Sequence, residues 1–197
     1  MKLGRTPDEK VRTPPGQRLT RGWPVLHAET IPPFDESTWR FRVFGLVANP
    51  FELSWSAFKG LPTVDLTSDI HCVTGWSKLD NRWEGVAFTE IAARAQPLPA
   101  VTHVVTHAPS GYTANVPLDV VMDDDVLFAW SHDGEPLQPK HGGPLRLVIP
   151  KRYFWKSVKW ADGVEFLDHD ERGFWEVRGY HNDAHPFAEE RFSWQER

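Results

Sequence analysis

The chain has 197 residues, with 22 Lys and Arg against 27 Asp and Glu for a net charge of −5. That length supports one domain with its own core, and the acidic balance excludes the basic footprint of a protein that binds nucleic acid or an anionic membrane. No apolar run is long enough for a membrane span. The first ten residues carry neither an apolar signal core nor paired arginines, so a cytoplasmic location is expected.

Residues 1–22 are rich in Lys, Arg, Thr, Pro and Gly and read as an extended arm without regular elements. The domain proper is then 23–197. Trp39 to Gly45 alternates apolar and basic residues at period two, which predicts a half-buried strand. Ser54 to Gly60 reads as a short helix with a serine cap and a glycine stop. Val64 to Ile70 predicts a second alternating strand that delivers His71 and Cys72 at its end, where a rigid element hands over to a loop. Lys78 to Gly85 reads as loop, and Phe88 to Ala95 as a helix capped by Thr89.

Val101 to Thr106 predicts a strand and Pro109 to Tyr112 a turn. Asp123-Asp124-Asp125 lacks the spacing of a calcium loop and reads as a solvated turn. Val126 to Trp130 predicts a buried strand, and Asp133-Gly134 a hairpin turn. His141 to Pro150 is a glycine-rich loop running into a buried strand, with further strands predicted over Tyr153 to Trp160 and Gly163 to Leu167. Many short strands with one or two helices define a β-rich α+β domain with mixed sheets.

Cys72 is the only cysteine, so it cannot form a disulfide within the chain. It is either a small apolar core residue or a thiolate acting as nucleophile or ligand to a soft metal. The stretch His71-Cys72-Val73-Thr74-Gly75-Trp76-Ser77, with Trp83-Glu84-Gly85 after it, resembles the cysteine segment of the sulfite oxidase family of molybdenum enzymes. The resemblance extends over about residues 20–195. It implies that the Cys72 thiolate binds molybdenum beside one molybdopterin, which suits a soft ligand deprotonated by its metal.

Alone, His141-Gly142-Gly143-Pro144-Leu145-Arg146 is a turn before a strand. The resemblance implies that this loop and Lys156 to Trp160 hold the pterin and its phosphate through Arg146, Ser157, Val158 and Lys159. Phosphate favours guanidinium, ammonium and free backbone N–H groups, and this segment supplies them. His141 stands where the family has Asn. A strand over Tyr153 to Trp160 puts Tyr153, Trp155, Ser157 and Lys159 on one face and Phe154, Lys156, Val158 and Trp160 on the other. Only one lysine can then face the cofactor; the resemblance points to Lys159 and leaves Lys156 as a surface or supporting residue. The resemblance also puts His107 near the pterin, the alternative being a satisfied core side chain. Arg21 and Trp23 are further candidate pterin contacts. Arg82 is a candidate for an anionic substrate or simply exposed, and the tail from Trp175 closes the domain without a catalytic role.

The implied activity is transfer of an oxygen atom to or from a small substrate such as sulfite or a sulfoxide, with molybdenum-molybdopterin as cofactor. The chain is similar to short stand-alone bacterial members of the methionine sulfoxide reductase type, since 197 residues leave no room for the haem and immunoglobulin-like domains of sulfite oxidases proper. No haem or iron–sulfur motif is present, so a separate electron-transfer protein is expected. Two alternatives stand beside this. Cys72 could be a nucleophile activated by His71 or His107, although neighbours on a strand face opposite ways. The chain could also be a binding module that keeps the fold without the metal.

Overall fold

A computed structural model describes residues 6–26 and 28–196. In chain order its elements are α1 (Pro7–Val11), β1 (Arg18–Leu19), β2 (Arg40–Gly45), β3 (Phe51–Ser54), α2 (Trp55–Lys59), β4 (Val64–Cys72), β5 (Trp76–Ala87), α3 (Phe88–Ala95), β6 (His103–His107), β7 (Thr113–Pro117), α4 (Leu118–Val121), β8 (Leu127–His132), β9 (Glu135–Pro136), β10 (Arg146–Val148) and β11 (Gly163–Leu167). The strands form two mixed sheets, which is the expected β-rich α+β class. One runs β3-β2-β11-β6-β7, with β2 and β11 parallel and the other pairs antiparallel. The other runs β1-β5-β8-β10, with β4 also paired to β5 and β9 to β8.

Along β8, Phe128 and Trp130 face the main core while Leu127 and Ala129 face a second, smaller cluster, so this strand is buried on both sides. The main core joins Phe41 and Val43 of β2, Phe88 and Ile91 of α3, Val104 of β6 and Val164 and Phe166 of β11. The smaller cluster joins Ile70, Trp76, Trp83, Val148 and Phe154, with Trp23 and Cys72 at its edge. The end of β4 therefore rests on an aromatic floor built by the far face of the same sheet.

Local signals hold where expected at α2, whose Ser54 Oγ accepts the Ala57 N–H at 3.2 Å and which Gly60 ends. The Asp133-Gly134 turn joins β8 to β9 with φ of +53° and +85°. Elsewhere the structure differs. The arm is not featureless: α1 carries a reciprocal Thr6–Glu9 capping box, and β1 pairs in parallel with Trp76 and Ser77 of β5. Arg12 fastens this arm to the body, reaching Asp69 at 2.6 Å and Asp80 at 2.5 Å.

The predicted loop at Lys78 to Gly85 is part of β5. Asp80 and Arg82 face water while β4 supplies the ladder, and at the irregular step the buried Asn81 side chain donates to Ser68 O and Lys78 O. Thr89 is not a cap, because Ala87 precedes the helix and Phe88 N–H donates to Val126 O at 2.9 Å.

Tyr153 to Trp160 is not a strand. Its N–H groups close short turns, Lys156 to Tyr153 O at 3.0 Å and Ser157 to Phe154 O at 3.2 Å, or reach other segments, Phe154 to His71 O at 2.8 Å. The alternating faces proposed for it do not exist. Lys156 accordingly is not a surface residue: its side chain is 1% exposed and meets the Glu176 carboxylate at 2.7 Å.

Candidate functional site

Beside the end of β4 lies a cavity of about 290 Å³. Its wall combines segments far apart in sequence: Trp23 to Leu26, then Cys72, Val73, Thr74 and Trp76, Tyr112, Arg146, Phe154 and Trp155, Ser157, Lys159 and Trp160, and Trp175 with Tyr180. Cys72 is the last residue of β4, and the turn after it closes with Gly75 N–H donating to Cys72 O at 3.0 Å. Gly75 has φ of +88°, a conformation that favours glycine. Burial pushes the Cys72 thiol up from its ordinary pKa, against the opposing pull of Thr74, Lys159 and Arg191. Its Sγ lies 3.2 Å from Thr74 Oγ1.

His71 points the other way. Its Nδ1 lies 2.8 Å from Ser77 Oγ, and burial lowers its pKa to about 4. His107 is also away from the cavity, with Nε2 at 3.1 Å from Glu165 and its ring beside Phe44. Neither imidazole reaches Cys72, and a buried thiol with a raised pKa is a poor nucleophile.

Arg146 is fully buried and lines the cavity. Nη1 donates to His141 O at 2.7 Å and Nη2 to Ser157 O at 2.8 Å, while the guanidinium lies 4.0 Å from the centre of the Phe154 ring. Burial lowers its pKa to about 9. Lys159 Nζ donates to Leu26 O at 2.6 Å and Lys140 O at 3.2 Å, and burial, then Arg146, lowers its pKa to about 7. Among the described residues no carboxylate forms an ion pair with either cation. Glu29, the carboxylate in the lining, bonds instead to the Ser110 hydroxyl.

Of the other residues singled out in the sequence, Ser157 lines the cavity, and its Oγ accepts the Ile149 N–H at 2.9 Å. Val158 does not, because its side chain is in the main core. His141 sits one layer back, stacked at 4.0 Å on Trp23, with Nδ1 buried and unpartnered. Trp23 is in the wall, whereas Arg21 is exposed and Arg82 pairs with Asp65 on the surface. The sequence reading missed Trp76, Trp175 and Tyr180. Ten tryptophans in one chain were the available signal for an aromatic pocket, but composition does not say which of them converge.

The half-buried Lys159 gives an expected pH response. Below pH 7, Lys159 is protonated in folded and unfolded chain alike, so the penalty of its burial is present in full. Above its folded pKa of about 7 the folded chain releases the proton first, the unfolded chain binds more protons, and stability rises with pH. Denaturant unfolding of the cofactor-free protein is expected to show this rise from pH 7 towards 9, and Lys159→Met is expected to flatten it.

The family described as oxidoreductase molybdopterin binding domain matches residues 27–175, and the chain belongs to it. This is a molybdopterin-dependent oxidoreductase. The chain is 44% identical over 191 residues to the uncharacterized oxidoreductase YuiH of Bacillus subtilis (strain 168), covering 96% of each. It is 29% identical over 170 residues to the protein-methionine-sulfoxide reductase catalytic subunit MsrP of Gluconobacter oxydans (strain 621H), covering 77% of this chain and 53% of that one. The sulfane dehydrogenase SoxCD of Paracoccus pantotrophus shares the fold, with a TM-score of 0.65 at 22% identity over 71% of this chain and 41% of that one.

The residues present suit the family's molybdenum-molybdopterin. Among the described residues no group of three His, Cys, Asp or Glu could hold a metal, so a metal here must arrive with ligands of its own and take one more from the protein. Cys72 offers that one soft donor. Arg146, fully buried, and Lys159, half-buried, have no carboxylate partner among the described residues and suit the cofactor's anionic phosphate. Trp76, with Nε1 buried and unpartnered, adds a donor beside them.

Proposed function

We propose that this chain catalyses oxygen-atom transfer to or from a small substrate such as a sulfoxide or sulfite. The observation that carries the reading is the convergence of one thiol and two cations without carboxylate partners on a single cavity. The cofactor, when bound, supplies the two-electron chemistry. Cys72 gives a sulfur donor, Arg146 and Lys159 hold the anionic end, and the aromatic wall keeps bulk water from the reacting face. The activity of the methionine sulfoxide reductase relative supports a sulfoxide, although the chain spans about half of that protein.

Electrons exchange with a separate redox protein in this reading, because neither haem nor iron–sulfur ligation is legible in the sequence. A cytoplasmic location belongs to the same proposal, and fractionation of a native host tests it. For the reaction, protein from a cofactor-competent host is analysed for molybdenum and assayed with methionine sulfoxide and a reduced viologen dye, then with sulfite and ferricyanide. Near-stoichiometric metal and turnover in either assay is expected. Well-folded protein without metal, from a host that loads a control enzyme, would overturn the proposal.

A further inference from the structure

The cysteine turn is tied down by every neighbouring segment. His71 O accepts from Phe154 N at 2.8 Å, Gly75 O from Arg18 N at 3.0 Å and Ser77 O from Thr20 N at 2.9 Å. Cys72 O accepts from Gln17 Nε2 at 3.1 Å. Val73 O accepts from Arg191 Nη1, whose side chain reaches it across 118 residues of sequence. Arg191 Nη2 also meets Pro15 O at 3.5 Å, and the guanidinium lies 5.0 Å from the centre of the Tyr153 ring. Its side chain is 17% exposed, and its carboxylate neighbour, Glu189, is 3.8 Å away.

Arg191 lies outside the segment that matches the family, residues 27–175. It is placed to do two things that no residue on the turn can do. It fixes the peptide plane next to Cys72, and it brings a second positive charge, beside that of Lys159, to bear on the thiol. A turn with free carbonyls samples several conformations, and each would carry Sγ to a different place. We propose that Arg191 is a positioning residue for Cys72, holding the thiolate where the metal needs it. This rests on Cys72 being the metal ligand.

The test compares wild type, Arg191→Met, Arg191→Lys, Cys72→Ser and Arg172→Met. The last breaks an ion pair in the same tail, that of Arg172 with Glu196, and is the control for loss of tail packing. Amide hydrogen exchange is measured on cofactor-free protein, and molybdenum content and thiolate-to-metal charge-transfer absorption on protein from a cofactor-competent host. Arg191→Met is expected to speed exchange in peptides spanning 72–76 by about tenfold while β8 stays protected, and to weaken metal retention by about tenfold with an altered band. Arg191→Lys is expected to recover part of both, and Arg172→Met to change neither.

Wild-type exchange in the turn, or a wild-type band and metal content, in Arg191→Met would overturn the proposal. So would exchange that rises equally in β8, since that marks general destabilisation. Should Arg191→Met fail to fold, the same criteria apply to Arg191→Lys, which keeps the charge and loses the planar fork. If Cys72→Ser binds metal with an unchanged band, the ligand assignment itself has failed, whatever Arg191 does.

Discussion

Cys72→Ser is expected to remove most bound molybdenum and to abolish turnover while leaving the fold intact. The side chain is nearly isosteric, and its polar contacts are with the hydroxyl and backbone of Thr74, which a serine hydroxyl can also meet. The buried surroundings that raise the thiol pKa disfavour an alkoxide far more strongly, so serine offers a neutral hard oxygen where a soft anion is required. Loss of about tenfold or more in retained metal is the expected scale. Elemental analysis after gel filtration, with circular dichroism of the same sample, checks it. Wild-type metal content in the variant would show that Cys72 is not a ligand.

Arg146→Met is expected to lose the cofactor while the cofactor-free protein keeps nearly its wild-type stability. Two opposing effects set that stability. Removing a cation buried without a carboxylate partner relieves a desolvation penalty of several kcal/mol. The substitution also strips donors from His141 O and Ser157 O, at about 1–3 kcal/mol for each carbonyl left unsatisfied. These nearly offset each other, whereas binding of an anionic group has nothing to replace the guanidinium. Truncating one side of a buried charge contact removes about 2–5 kcal/mol, which is about thirtyfold or more in affinity. Pterin fluorescence after denaturing oxidation, beside urea unfolding of the cofactor-free variant, separates the two. Full pterin content in Arg146→Met would remove Arg146 from the site.

The sequence exposed those parts of the fold that short-range chemistry determines. Ser54 and Gly60 announce α2, Asp133-Gly134 announces a hairpin, and alternation from Val64 carries Cys72 to a strand end. It failed where the partner decides. Trp76 to Ala87 holds four charged residues, Lys78, Asp80, Arg82 and Glu84, with few apolar residues between them, yet β4 on one side and β8 on the other complete its ladder. Tyr153 to Trp160 is rich in aromatic residues that favour strands without being one, because its N–H groups close short turns instead of a ladder. Lys156 looks like a solvated lysine until Glu176 is brought to it from 20 residues away.

The site was legible in its chemistry and partly illegible in its geometry. Cys72, Arg146, Ser157 and Lys159 meet at one cavity, while His107 and the Val158 side chain are elsewhere. His141 is behind the wall, its ring stacked on Trp23 and its carbonyl accepting from Arg146. Arg191 carries no local signal, since a lone arginine between Glu190 and Phe192 reads as a surface charge.

The contacts around the cysteine turn also bear on when the enzyme can be made. Pro15 and Arg191, 176 residues apart, meet beside the same turn, and the pocket wall itself needs Trp175 and Tyr180, so neither is complete until these late segments have left the ribosome. Contacts of such separation close late in folding. Loading of the metal is therefore a step that follows synthesis, and a chain truncated before Arg191 would form much of the β-sheet framework without finishing the receptacle.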